Sequence, residues 1–145
     1  MIRFILLMCG CVIGSAWADS TLTVEGAWLR ATPPGQQMAA GYMGLINSGT
    51  TVITVVGVTT DVAAHAEIHR STTQDGMSGM RPAGPVSIAA GSHYLLQPGG
   101  SHLMLMGVKD ALVEGDSIDI ALLLGDGTTL LLTVPVHRTA PGVHK

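Results

Sequence analysis

Four side chains combine types and spacing that suit metal chemistry: His69, Met80, His102 and Met104, in the pattern His-x10-Met-x21-His-x-Met. Two imidazole nitrogens and two thioether sulfurs make a soft, uncharged set of donors. Soft sulfur donors match a polarisable monovalent ion better than they match zinc, calcium or magnesium. We therefore expect these four residues to bind Cu(I).

The N-terminus predicts that this metal chemistry takes place outside the cytoplasm. Residues 1–18 have the layout of a secretory signal peptide, with Arg3 as the positive region and a short apolar stretch over residues 4–13. Ala16-Trp17-Ala18 provides a small-residue cleavage site before Asp19. The apolar stretch is shorter than the roughly 20 residues that a membrane-spanning helix needs. We expect cleavage after Ala18, export to the periplasm and no stable insertion in the membrane.

Both cysteines of the chain, Cys9 and Cys11, lie in the segment that cleavage would remove. The remaining chain then has neither a disulfide nor a thiolate ligand. This excludes a cysteine nucleophile, a Cys-x-x-Cys redox motif, a Cys-type zinc site and a blue-copper electron-transfer site. Lipid attachment at Cys11 is the alternative to cleavage, although Met8-Cys9-Gly10 before it is a poor attachment motif.

Charge and aromatic content bound the other function classes. The whole chain has a formal net charge of −3, whereas nucleic-acid binding asks for a basic patch. Beyond residue 18 only three aromatic side chains remain, Trp28, Tyr42 and Tyr94. We therefore expect no nucleic-acid partner and no aromatic platform for sugars or bases.

Short runs of β-forming residues separated by Gly, Pro, Asn and Asp predict an all-β domain over residues 19–137. The size fits a single domain, and the pattern predicts a Greek-key β-sandwich or barrel. Residues 138–145 are predicted to form a flexible tail, and residues 61–67 at most one helical turn. The predicted strands are Leu22–Glu25, Ala27–Ala31, Ala40–Ile46, Val52–Thr59, Ala66–Arg70, Val86–Ile88, His93–Gln97, His102–Met106, Ser117–Leu124 and Thr128–Val136.

Strand geometry explains why His102 and Met104 belong together. Residues i and i+2 of a strand point to the same face and lie roughly 7 Å apart. Both side chains can therefore reach one ion above the sheet, while Leu103 and Leu105 face the core.

The assignment of His69 and Met80 as ligands depends more on their spacing in the sequence than on strand geometry. His69 ends a predicted strand, and Met80 is predicted to lie in the loop after Asp75-Gly76. This places the site at a sheet edge where two strands and a loop meet. Taken alone, a methionine in a β-protein is usually core filler and a single histidine is usually a surface residue.

Nearby histidines and methionines offer further or rival ligands. Met106 shares the predicted face of the Cu(I) site, although packing around the site is the simpler interpretation. Met77 precedes Met80 by three residues and His65 precedes His69 by four. His137 and His144 lie at or in the tail and are candidates for a weak Cu(II) site.

The sequence resembles the periplasmic copper chaperone family called PCu(A)C, whose signature is His or Met, ten residues, Met, twenty-one residues, then His-x-Met. The four residues named first match this signature without a gap, and the resemblance extends over residues 21–136. The surrounding segments are also similar to the family: Ala27-Trp28-Leu29-Arg30-Ala31-Thr32-Pro33-Pro34, Gly41-Tyr42, Glu67-Ile68-His69, Gly79-Met80-Arg81-Pro82 and Pro98-Gly99-Gly100-Ser101-His102-Leu103-Met104-Leu105-Met106-Gly107.

This resemblance implies a cupredoxin-like fold that lacks the electron-transfer cysteine. It also implies that His69, Met80, His102 and Met104 bind Cu(I) and that the protein, which is not an enzyme, passes the ion to other proteins. The implied acceptor is the dinuclear copper site of cytochrome oxidase, reached through subunit II or its assembly factors.

Two other function classes remain open at this stage. A His and Met copper site exposed to dioxygen can support a secreted redox enzyme, although no further His cluster supplies a second copper. The remaining alternative is a metal-free β-sandwich that binds a partner along an edge strand and uses its methionines only for packing.

Overall fold

The structure is a computed structural model and describes residues 21–142. The predicted signal peptide with its cleavage after Ala18, the alternative lipid attachment at Cys11 and the last three residues of the predicted tail lie outside this range. Among the described residues, no helix is long and apolar enough to cross a membrane.

Within residues 21–142 the regular secondary structure consists of β-strands, and there is no helix. The ten strands are β1 (Leu22–Arg30), β2 (Met38–Asn47), β3 (Ile53–Thr60), β4 (Ala63–Gln74), β5 (Met77–Pro82), β6 (Val86–Ile88), β7 (His93–Leu96), β8 (His102–Val108), β9 (Ser117–Leu124) and β10 (Thr129–His137).

Strand β1 unites two segments that the sequence predicts as separate strands. The β1–β2 register shifts between Glu25 and Trp28, which marks a β-bulge. Gly26 lies in this bulge with a φ of 59°, a left-handed conformation that favours glycine. Gly26, which in the sequence indicates a break between two strands, instead forms a bulge within one continuous strand.

Of two local predictions around β4, one is wrong. Residues 61–67, expected to form at most one helical turn, contain a turn at residues 61–62 that is followed at once by β4. Met80 does not lie in a loop, because Asp75 and Gly76 form a two-residue hairpin turn that pairs β4 with β5. Both turn residues have positive φ, 53° and 77°, as this kind of tight hairpin requires.

Seven of the strands close into a barrel. The strands neighbour one another in the order β4-β8-β2-β1-β10-β9-β3, and the β3–β4 pairing closes the ring. Strands β5, β6 and β7 extend this ring by pairing with β4, β3 and β2. The predicted all-β barrel is confirmed.

The inside of the barrel is the hydrophobic core, and the outer face over β4, β5 and β8 carries the candidate ligands. Leu103 and Leu105 of β8, Ile68 of β4 and Ala39 of β2 belong to the core cluster. Because neighbours along a strand alternate between faces, the residues between them point outward.

Candidate metal centre

The pairing of β4 with β8 brings two of the predicted ligands face to face. His69 and His102 are directly opposite each other in the antiparallel register, and their ring centroids lie 6.0 Å apart with an interplanar angle of 57°. With metal–nitrogen bonds of about 2 Å, two imidazoles on one ion have centroids about 5–6 Å apart. The separation of the two rings therefore fits a shared metal ion.

His102 has one ring nitrogen without a hydrogen-bond partner. His102 is 5% exposed, and its Nδ1 lies 3.1 Å from the carbonyl oxygen of Gly100. Because a carbonyl only accepts, Nδ1 carries the proton and Nε2 of the neutral ring carries the lone pair. That Nε2 is buried and has no hydrogen-bond partner. A buried polar atom without a partner is costly in a folded protein, and a metal ion would satisfy it.

Glu67 orients His69. Its Oε2 lies 3.1 Å from Nε2 of His69, and because a carboxylate only accepts, the Nε2–H donates. In the neutral ring this leaves the lone pair on Nδ1. A histidine held through one nitrogen by a carboxylate and free at the other is the arrangement that metal-binding histidines commonly adopt.

In the strand register, a methionine stands next to this histidine pair. Met104 occupies the next outward position of β8, opposite Glu67, and is 8% exposed. Of the six methionines within residues 21–142, only Met43 belongs to the hydrophobic core cluster. Met104 is therefore buried outside the main core cluster. No group of three or more His, Cys, Asp or Glu in that part of the chain is arranged to hold a metal ion.

Met80 lies on the same face at the other side of the histidine pair. It is paired with Ser71 across the β4–β5 hairpin, two residues beyond His69, and is 61% exposed. Met80 and Met104 thus flank the histidines from opposite ends of the strands. The register, rather than a direct contact, relates Met80 to the others.

Aromatic side chains continue this face beyond the histidines. Extending the β2–β8 register by one residue places Tyr42 next to His102. The rings of Trp28 and Tyr42 lie 4.8 Å apart, and the Arg30 guanidinium carbon lies 5.9 Å and 5.8 Å from their centroids. Both aromatic residues are buried but lie outside the core cluster. By this register they continue the outer face next to the candidate site.

The remaining predicted residues are more distant from the histidine pair. His65 and Met106 are cross-strand partners on the same outer face. They lie four residues along their strands from His69 and His102, respectively. Met77 is an exposed residue at the tip of the β4–β5 hairpin. His137 ends β10, and His144 lies outside the described residues.

Two supporting contacts were not predicted from the sequence. Glu67 is two residues from His69, the same spacing that relates His102 to Met104, so the alternation rule was sufficient to find it. Ser71 donates from Oγ to the carbonyl of Gly100 at 3.0 Å, the same oxygen that His102 contacts. That contact joins two distant segments, and no local pattern indicates it.

Comparison with known proteins gives a family match over most of the chain. The LpqE-like lipoprotein family model matches residues 22–136. A lipoprotein of Leifsonia xyli subsp. xyli is 40% identical over 114 residues, which cover 78% of this chain and 68% of the relative. A protein of Rickettsia prowazekii is 27% identical over 126 residues, covering 86% of this chain and 65% of the relative.

Solved structures with the same fold include copper-bound proteins. The solution structure of CuI-DR1885 from Deinococcus radiodurans has a TM-score of 0.66 at 34% identity, covering 90% of this chain and 87% of that one. The copper-bound PCuAC domain from PmoF2 has a TM-score of 0.69 at 20% identity, covering 82% and 94%.

Proposed function

The chain belongs to the LpqE-like, PCuAC-type family, and on this premise we propose that it is a periplasmic Cu(I) chaperone. The observation that carries the proposal is the buried, unpartnered Nε2 of His102, on a ring 6.0 Å from that of His69. The Cu(I) in the DR1885 relative supports copper as the cargo.

The proposed ligands are His69, Met80, His102 and Met104. All four donors are neutral, so the bound ion keeps its positive charge and remains attractive to an acceptor thiolate. Three of the four lie on the paired strands β4 and β8, and Met80 lies on the exposed edge strand. We propose that Met80 is the ligand that exchanges first, because it is the most accessible.

The proposed acceptor is the dinuclear copper site of cytochrome oxidase, reached through subunit II or its assembly factors. The lipoprotein description of the family and of the Leifsonia relative supports a location in the cell envelope. The proposal is of a carrier and not an enzyme: Cu(I) moves stoichiometrically to an apo acceptor under anaerobic conditions. Catalytic peroxide production by the copper-loaded protein in air and excess reductant would instead indicate an oxidase.

Replacing Met104 with leucine tests the ligand set. Leucine keeps most of the side-chain volume but removes the sulfur. We expect Cu(I) affinity to fall about 10- to 100-fold, measured by anaerobic competition with a Cu(I) chelator, while the free energy of unfolding of the apo protein changes by less than about 1.5 kcal/mol.

Met43→Leu is the matched control, because Met43 is a core methionine away from this face. It should leave Cu(I) affinity unchanged. If Met104→Leu binds Cu(I) as tightly as this control, Met104 is not a ligand. If the wild-type protein binds no Cu(I) in the same assay, the carrier proposal itself fails.

Removing the Glu67 carboxylate tests the orientation of His69. In Glu67→Ala the His69 ring loses the acceptor at 3.1 Å, and losses of 10- to 100-fold are usual for such supporting contacts. Because Glu67 is half-exposed, we expect a loss near the lower limit, about 10-fold in Cu(I) affinity. Glu67→Gln retains an acceptor oxygen and should recover most of the lost Cu(I) affinity. Equal Cu(I) affinity for the wild-type protein and both variants would contradict the proposal that Glu67 orients His69.

A further inference from the structure

A second row of soft donors crosses the outer face of the barrel. In the antiparallel registers, His65 of β4 is opposite Met106 of β8, and Met106 is opposite Met38 of β2. Residues directly opposite on one face have Cβ atoms about 4.5–5.5 Å apart. One imidazole and two thioethers therefore stand side by side on three neighbouring strands.

These side chains point away from the core. Their neighbours along the strands, Ala66, Leu105 and Ala39, pack in or against the core cluster, so strand alternation turns His65, Met106 and Met38 outward. Met38 is 49% exposed, His65 is exposed, and Met106 is half-buried. None of the three belongs to the core cluster. Core packing does not explain two methionines in this row.

We propose that His65, Met106 and Met38 form a second Cu(I) site. The donor chemistry is the same as at the His69–His102 pair, since one imidazole and two thioethers are soft and neutral. The site goes beyond the proposed function, because it uses none of the four ligands assigned there. It has fewer imidazoles and is open to solvent, so it binds Cu(I) more weakly.

The two sites are far enough apart to be filled together. The row lies four residues from the His69–His102 pair along β4 and β8, which is about 13 Å of strand. This exceeds the Debye length of about 8 Å at physiological ionic strength, so two bound monovalent ions repel each other weakly. Met104 occupies the position between them on β8, two residues from Met106 and from His102. The second site is therefore placed to load the first.

Transfer between the sites needs only ligand exchange. A Cu–S bond to Met104 forms as a bond to Met106 breaks, and the ion remains Cu(I) throughout. No electron or proton is taken up or released.

Anaerobic titration of the full chain with Cu(I) in the presence of a weak chelator tests the second site. We expect two equivalents to bind, the second at least about 100-fold more weakly than the first. Met38→Leu, Met106→Leu and His65→Gln should each weaken the second equivalent at least 10-fold and leave the first unchanged. Met77→Leu removes an exposed methionine elsewhere and should change neither.

NMR of the wild-type protein provides a test that does not depend on whether the variants fold. In the wild-type protein, the methyl 13C resonances of Met38 and Met106 should shift with the second equivalent only, and that of Met43 should not shift. The proposal is overturned if these two methyls do not respond to Cu(I), or if His137→Gln or His144→Gln removes the second equivalent. If the two methyls respond but only one equivalent binds, the His69–His102 pair is empty, which counts against the carrier proposal and not against this one.

Discussion

His102→Leu should abolish tight Cu(I) binding without destabilising the apo protein. The substitution removes one of the two proposed imidazole ligands, and we expect Cu(I) affinity to fall by at least about 100-fold. For a residue that is 5% exposed at the start of a barrel strand, an unchanged or increased stability is an unusual outcome. It follows from the hydrogen bonding around the ring.

The two ring nitrogens of His102 contribute differently to stability. Its Nε2 is buried without a partner, and such an atom costs about 1–3 kcal/mol, which leucine removes. Its Nδ1–H donates to Gly100, but the same carbonyl oxygen also accepts from Ser71 at 3.0 Å. Gly100 therefore keeps a partner after the substitution. We expect the free energy of unfolding of the apo variant to equal or exceed that of the parent by about 1 kcal/mol.

Two measurements separate the metal role from a structural one. Chelator competition reports Cu(I) affinity, and denaturant unfolding in the absence of copper reports stability. His93→Leu is the control, since His93 is an exposed histidine on β7 and should leave Cu(I) affinity unchanged. A His102→Leu protein that is destabilised by more than about 2 kcal/mol would show that the histidine serves the fold.

Side chains along a strand alternate between its two faces, and this alternation shows which parts of the candidate site can be predicted from the sequence. Alternation placed His102 and Met104 on one face and Leu103 and Leu105 in the core, and the core cluster contains both leucines. The rule works on β8 because one of its faces is continuous with the barrel interior. It requires no knowledge of the neighbouring strands.

Met80 shows where that rule fails. Strand β5 is exposed at every position, so its sequence has no alternation between apolar and polar residues. Its strand conformation depends on pairing with β4 across the Asp75-Gly76 turn. The sequence marks the turn but does not show that β4 continues past His69 to meet β5. The position of Met80 is consequently a product of pairing, not of local pattern.

Asn47→Ala should be strongly destabilising, with a loss of about 3 kcal/mol. Asn47 ends β2 and is fully buried. Its Nδ2 donates to the carbonyls of Thr51 at 2.7 Å and Ile88 at 3.0 Å, and its Oδ1 accepts from the Gly49 N–H at 3.0 Å. Alanine removes all three bonds, each worth about 1 kcal/mol, and leaves buried groups without a partner.

The sequence identifies Asn47 only as a turn residue before Ser48-Gly49, yet the bond to Ile88 links β2 to β6. Asn47→Asp distinguishes the donors from the acceptor, because it keeps Oδ1 but loses both Nδ2 bonds and buries a charge. It should be at least as destabilising as alanine. Ser48→Ala, which removes one exposed bond to Thr21, should change the free energy of unfolding by less than about 0.5 kcal/mol.

Thermal and denaturant unfolding measure these differences. For a domain of this size, a loss of about 3 kcal/mol lowers Tm by roughly 10 °C. Below its transition, Asn47→Ala should bind Cu(I) like the parent, because Asn47 lies five residues along β2 from Tyr42, the residue beside His102. A loss of stability below about 1 kcal/mol would mean that water replaces the amide at this junction, and the buried network would not be what holds β2 to β6.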